Sequence, residues 1–197
     1  DYLKSNPEPL LIMGGGSNML FRNDYNGLVL RNCLRGIRIV REEAHHIWVE
    51  SMAGECWHDL VMFAVKHNYG GIENLSLIPG CCGAAPMQNI GAYGREIKDV
   101  FESLEALNLK TGAIEHFSAA KCQFGYRESI FKHEYKGQYF ILSVTFRLQH
   151  LAQVHTTYGA IDTVLKSNGI LNPNPQDVAN AVIKIRSEKL PDPAIYG

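Results

Sequence analysis

Leu10-Leu-Ile-Met-Gly-Gly-Gly-Ser-Asn18 runs a short continuous apolar stretch straight into a glycine loop. Four apolar residues bounded by turn residues read as a buried strand, and the glycines after them as a tight turn. Consecutive small residues also let backbone N–H groups converge on an anion, with Ser17 and Asn18 adding side-chain donors. The stretch fails the dinucleotide fingerprint, because Met19 stands where the third glycine is needed, and it lacks the Gly-Lys-Ser/Thr of a P-loop. On its own it is equally well a turn that needs positive φ.

Working outward, Leu28-Val-Leu30 is a second short strand, Gly36 opens an alternating stretch from Ile37, and His46 to Met52 alternates again. These last two predict half-buried strands, most simply paired antiparallel. Trp57, Leu60, Val61, Ala64 and Val65 fall at helical spacing, with a stop supplied between Asn68 and Gly71. Leu104 to Leu109 and Ile114 to Phe117 flank the turn Lys110-Thr-Gly112 as a hairpin, and Tyr139 to Leu148 is a strand by its aromatic and β-branched content. Asn174-Pro175 is an N-cap with proline at the first helical position. Val178, Val182 and Ile185 form the apolar stripe behind it, with Lys184, Arg186 and Lys189 toward the C-terminus. Strands dominate without regular βαβ alternation, so the fold class is α+β.

The 197 residues suffice for one generous domain or two small ones. Hydrophobic residues make up 46% and charged residues 20%, against a usual charged share of roughly 25%, which is a globular composition. Nineteen Lys and Arg balance 20 Asp and Glu to a net charge of -1. No overall field then favours nucleic acid or an anionic membrane, and any phosphate site must be local. No bilayer-length apolar stretch and no export leader stand out, so a cytoplasmic location is expected. Cys33, Cys56, Cys81, Cys82 and Cys122 are an odd set without a CxxC pair, which favours a reducing compartment. The chain begins without Met and stops just past a helix, which suggests a piece of something longer.

Ile78-Pro-Gly-Cys-Cys-Gly-Ala-Ala-Pro-Met-Gln-Asn-Ile-Gly-Ala-Tyr-Gly94 contains nine Gly, Ala or Pro among 17 residues. Small residues let a backbone approach a flat ligand, and a long non-periodic segment between Gly70 and Asp99 in a compact domain is expected to be functional. Arg127, within Phe124-Gly-Tyr-Arg-Glu-Ser-Ile-Phe131, is expected to be partly buried and aimed at a carboxylate or phosphate. Pairing with a structural acid such as Glu128 is the bland alternative. Tyr158 and Lys189 are uninformative alone. His45, His46, His116, Cys122 and His133 match no common zinc spacing. Ser17 is not in GxSxG, and Cys81-Cys82 reads as small buried hydrophobes.

Taken in order, Gly14-Gly-Gly-Ser-Asn18, Glu73-Asn-Leu-Ser-Leu-Ile-Pro-Gly80, Gln88-Asn-Ile-Gly-Ala-Tyr-Gly94, Phe124-Gly-Tyr-Arg-Glu-Ser-Ile-Phe-Lys132, Thr157-Tyr-Gly159 and Lys189-Leu-Pro-Asp-Pro193 resemble the UDP-N-acetylenolpyruvoylglucosamine reductases nearly end to end. The Thr-Tyr-Gly segment resembles the tyrosine-loop subclass of Gram-negative bacteria. The resemblance implies an FAD-binding region of the vanillyl-alcohol-oxidase kind with two α+β subdomains: residues 1–35 as part of the first and 36–197 as the second, the substrate domain being absent. It implies FAD as cofactor, NADPH as co-substrate and a UDP-sugar enolpyruvyl substrate, with UDP-N-acetylmuramate for peptidoglycan as product.

By the same resemblance Gly15, Gly16, Ser17 and Asn18 match the FAD pyrophosphate loop. Ile78, Pro79, Gly80, Gly83, Ala84, Ala85, Asn89, Gly91 and Ala92 match the stretch lining the rest of the cofactor. Arg127 matches the catalytic arginine, and Tyr158 and Lys189 match substrate-binding positions. Ala84 and Ala85 replace hydroxyl residues found in some members, putting one flavin hydrogen bond in doubt. The family's proton-donating serine normally follows the glycine matching Gly197, so the segment alone is expected to be inactive. Competing readings are another FAD oxidase or dehydrogenase of the same fold, and a non-catalytic nucleotide-binding module.

Overall fold

The computed structural model describes Ser5 and residues 8–150 and 153–191. Two short strands, β1 (Leu10–Met13) and β2 (Leu28–Arg31), pair in parallel as a separate ribbon. The main sheet has five strands in the order β3 (Ile37–Glu42), β4 (His46–Met52), β9 (Tyr139–Gln149), β7 (Phe101–Asn108) and β8 (Ile114–Ser118), every neighbour antiparallel. The remaining pair, β5 (Gly91–Ala92) and β6 (Arg95–Glu96), is a miniature hairpin. The α-helices with described bounds are α1 (Trp57–Lys66), α2 (Ala119–Cys122), α3 (Gly159–Ser167) and α4 (Pro175–Lys189).

Strand β9 is the spine of the sheet because its aromatic and β-branched residues suit a pleated surface buried between neighbours. Val144, Phe146 and Leu148 are fully buried at period two. Helix α1 covers them with Trp57, Leu60, Val61, Ala64 and Val65. The Trp57 ring meets Phe146 edge-on at 5.6 Å, and its indole N–H donates to the Leu75 carbonyl at 2.9 Å, so the one polar atom of a buried indole is satisfied. Strand β3, at the open edge, carries the ion pairs Arg38–Glu50 and Arg41–Glu43 and a register shift after Ile39, devices that discourage pairing with another sheet.

A second apolar cluster joins α3 to α4 through Ile161, Leu165, Val178, Ala181, Val182 and Ile185. Helix α4 starts as its sequence dictates. The Asn174 side chain accepts from Asp177 N at 3.0 Å, the Asp177 carboxylate accepts from Asn174 N at 2.9 Å, and Pro175 occupies the first turn.

Strands and helices lie where pattern places them, and the class is α+β. The parallel pairing of β1 with β2, the helices α2 and α3, and the β5–β6 hairpin are additions. Residues 70–99 are also more ordered than a loop. Four 3₁₀ turns (73–75, 82–84, 86–88 and 97–99) and the β5–β6 hairpin wind them against the core, with Ile72, Leu75, Cys82, Ile90 and Ile97 buried.

Candidate functional site

The two glycine loops, more than sixty residues apart in sequence, meet in space. The 14–18 loop leaves the end of β1. The 78–85 loop is held by α1, because Trp57 N donates to Gly80 O at 3.0 Å and Cys82 N to Glu55 O at 2.8 Å. A Cβ built on Gly14 would lie 3.2 Å from both Cβ and Sγ of Cys81, and one on Gly80, at φ 113°, would lie 3.4 Å from Ser17 Oγ. Only small residues let the loops approach this closely. Among the described residues, the amide N–H groups of Gly14 through Asn18 have no partner within the protein. They form a cluster of free donors on a glycine cradle, the chemistry a pyrophosphate requires.

The cradle is braced from behind. Leu77 adopts φ 57°, and its N–H donates to His58 Nδ1 at 3.0 Å, while Arg186 Nε of α4 donates to Leu77 O at 3.2 Å. Accepting at Nδ1 requires that nitrogen to be unprotonated. Burial opposes charging the ring and holds the His58 pKa below its ordinary 6.5, the nearby Asp59 partly offsetting it.

Other residues of the second loop have structural duties. Gly83 is required by packing: its Cβ would lie 2.5 Å from that of Ala53, whose carbonyl accepts from Gly83 N at 2.8 Å. Asn89, fully buried at φ 42°, donates to Gly125 O at 2.9 Å and accepts from Lys98 N at 3.1 Å, so its amide ties three segments together. Ile78 and Gly80 are half-buried, Pro79 and Ala84 exposed, and Ala85 is buried in the core. Cys82 is fully buried, and desolvation raises its thiol to about 12; Cys81 is half-buried against the first loop.

Beyond Asn89 the same stretch opens onto a cavity of about 630 Å³ lined by Gly91, Ala92, Tyr93, Arg95, Arg127 and Tyr158 among others. The Arg127 Nη2 donates to Gly91 O at 2.6 Å. Glu128 is paired instead with Lys132 at 2.9 Å and His133 at 2.6 Å, and among the described residues no carboxylate neutralises Arg127. The guanidinium is therefore anchored by a neutral carbonyl and leaves its charge to the cavity. Contrary to expectation, Arg127 is exposed rather than partly buried. Gly125 and Glu128 bond across a tight turn that pushes Tyr126 and Arg127, at φ 55°, outward, while Ser129, Ile130 and Phe131 carry the burial.

Tyr158 stands at the start of α3 with its ring edge-on to Tyr93 at 5.3 Å. Asn74 fixes that corner by donating to Tyr93 O at 3.1 Å and His155 O at 2.9 Å. Lys189 is the last residue of α4, is exposed and does not line the cavity. Asp192, Pro193 and Gly197 lie outside the described residues. Sequence reasoning missed Tyr93, Arg95 and Tyr126 as lining residues and His58 as a support. Tyr93 was within reach of it, because it sits inside the small-residue stretch at a position where bulk has no obvious packing reason. Among the described residues no helix is long and apolar enough to cross a membrane.

A family model described as an FAD binding domain matches residues 1–118. Proteins named UDP-N-acetylenolpyruvoylglucosamine reductase from Pseudomonas syringae pv. tomato and Pseudomonas fluorescens Pf-5 are 52% and 50% identical over 196 residues, covering 100% of this chain and 58% of each relative. One from Flavobacterium johnsoniae is 50% identical over 197 residues, covering 99% of the chain and 58% of the relative. The crystal structure of a reductase of this name from Thermus caldophilus superposes with a TM-score of 0.64 at 20% identity, covering 96% of this chain and 60% of that one, which is a likeness of fold. The chain thus spans a little under three fifths of the length of these curated relatives.

Proposed function

From the premise that this chain belongs to the FAD binding domain family, we propose that it is the FAD-binding portion of an NADPH-dependent reductase converting UDP-N-acetylglucosamine enolpyruvate to UDP-N-acetylmuramate for peptidoglycan. FAD is the cofactor, and the residues present fit it: a cradle that any Cβ at Gly14 or Gly80 would crowd, lined by N–H groups that have no partner among the described residues. Gly15, Gly16, Ser17 and Asn18 would take the pyrophosphate, and Ile78 to Gly80 with Gly83, Ala84, Gly91 and Ala92 the remainder, while Ala85 and Asn89, buried beneath them, would hold that stretch in shape. Bound FAD supplies two-electron hydride transfer between NADPH and a carbon–carbon double bond.

The observation that carries the substrate reading is Arg127: an exposed cation that has no carboxylate partner among the described residues and lines the same cavity as Tyr158. Arg127 binds the carboxylate of the enolpyruvyl group and stabilises the negative charge that spreads into it as hydride adds to the far, methylene end of the double bond. Tyr158 and Tyr93 form an aromatic wall beside that carboxylate, and Lys189 is assigned to the same substrate from the end of α4. The ribbon β1–β2 stands apart from the five-stranded sheet, which supports a division into 1–35 and 36–197. A cytoplasmic location follows from the NADPH and nucleotide-sugar substrates.

The test is substrate-dependent NADPH oxidation by the longer parent protein carrying Arg127→Lys. That change keeps the charge but loses the planar fork. A fall of about 100-fold in kcat with FAD retained is expected, and unchanged turnover would contradict the assignment.

A further inference from the structure

Cys56 and Cys81 face each other across the short pairing that holds the second glycine loop to α1. Their bridge is antiparallel, and the flanking bonds are Trp57 N to Gly80 O at 3.0 Å and Cys82 N to Glu55 O at 2.8 Å. The two cysteines are thus the non-hydrogen-bonded pair of that ladder, in which side chains share one face and the Cα atoms lie roughly 4.5 Å apart. That separation is inside the range of about 4.4–6.8 Å that a disulfide spans. Both backbones are extended, at φ −64°, ψ 130° for Cys56 and φ −102°, ψ 155° for Cys81. Both thiols are free and half-buried, whereas Cys82 and Cys122 are fully buried and Cys33 is exposed.

We propose that Cys56 and Cys81 form an oxidation site that a hydroperoxide closes to a disulfide, and that closure and FAD binding at the adjoining cradle oppose one another. The sulfur of one cysteine attacks the peroxide oxygen, forming S–O as O–O breaks and releasing one water. The second sulfur then attacks that sulfenic sulfur, forming S–S as S–O breaks and releasing another water. Two thiols lose two electrons, hydrogen peroxide gains them, and a dithiol reverses the result.

The coupling follows from position and rests on the cofactor reading above. Cys81 Sγ is packed against the first loop, 3.2 Å from a Cβ placed on Gly14 and 3.8 Å from one on Gly15. Turning that sulfur toward Cys56 withdraws the contact under the loop that holds the pyrophosphate. A pyrophosphate seated there holds Gly14 to Asn18, and with them Cys81, in place. By linkage, whatever factor FAD imposes on closure, the disulfide imposes on FAD affinity.

The chain is treated with hydrogen peroxide with and without saturating FAD, free thiols are blocked, and the peptides are mapped by mass. Expected is one linked peptide pair containing Cys56 and Cys81, lighter by two hydrogens and restored by dithiothreitol. It should be lost in Cys56→Ser and in Cys81→Ser and kept in Cys33→Ser, and at equilibrium in a buffer of oxidised and reduced dithiothreitol its disulfide-to-dithiol ratio should be at least about fivefold lower with saturating FAD. Linkage of Cys81 to Cys33, or oxidation of Cys33 with Cys56 and Cys81 still free thiols, would overturn the site. Equal disulfide-to-dithiol ratios with FAD demonstrably bound would overturn the coupling. FAD failing to bind is read separately by fluorescence and counts against the cofactor reading, while the mapped disulfide still decides the site.

Discussion

At the scale of single residues, a glycine means different things at different places in one motif. Gly83 is small because Ala53 is in the way, and Gly80 because its φ of 113° and Ser17 leave little else. Gly83→Ala is therefore expected to cost about 1–3 kcal/mol of stability from overpacking, read from the denaturant midpoint. His58 makes a second case. The unfolded ring takes a proton near pH 6.5, and the native ring, with its pKa lowered, resists it. The unfolded state then binds more protons below pH 6.5, so this contribution to stability is intact above that pH and lost on acidification. Urea midpoints from pH 7.5 to 5.5 should fall less steeply in His58→Asn, which keeps an acceptor near Leu77 N but does not titrate; identical slopes would remove His58 from the account. From its aromatic company Arg127 was readable as a cation facing either a ligand carboxylate or phosphate or a structural acid such as Glu128. Its exposure was not, because that depends on the Gly125–Glu128 turn.

At the scale of elements, local codes were the most legible. Asn174, Pro175 and Asp177 announce the start of α4, and the capping box is there. Asn174→Ala should lower stability by about 1 kcal/mol, measurable as a drop in Tm. Because α4 also reaches the cradle through Arg186 and Leu77, the same substitution should weaken FAD binding slightly rather than abolish it. Helix α3 went unread because its amphipathic signal is only Ile161, Val164 and Leu165, and no side chain caps its start. The 70–99 segment was hidden for another reason: 3₁₀ turns follow neither the 3.6 nor the 2.0 period, so order built from them looks like loop.

At the scale of the whole molecule, the sheet and α1 present one loop, the β1–β2 ribbon presents another, and the site exists only where they meet. Sequence named both loops but could not say that Gly14 lies on Cys81 or Gly80 on Ser17, because such contacts are set by how distant elements pack. Gly15 offers a direct probe of the proposal that this junction is the FAD pyrophosphate cradle. Gly15 needs no positive φ, and a Cβ there meets only Cys81 Sγ at an ordinary 3.8 Å, so Gly15→Asp should fold normally while placing a carboxylate among the phosphate donors. Flavin fluorescence is titrated with the wild-type chain and with Gly15→Asp, the Tm of each being recorded. A phosphate cradle at this junction gives saturable quenching by the wild type and at least about tenfold weaker binding by the variant, one pKd unit or 1.4 kcal/mol, at unchanged Tm; equal affinity in the two proteins would place the pyrophosphate elsewhere.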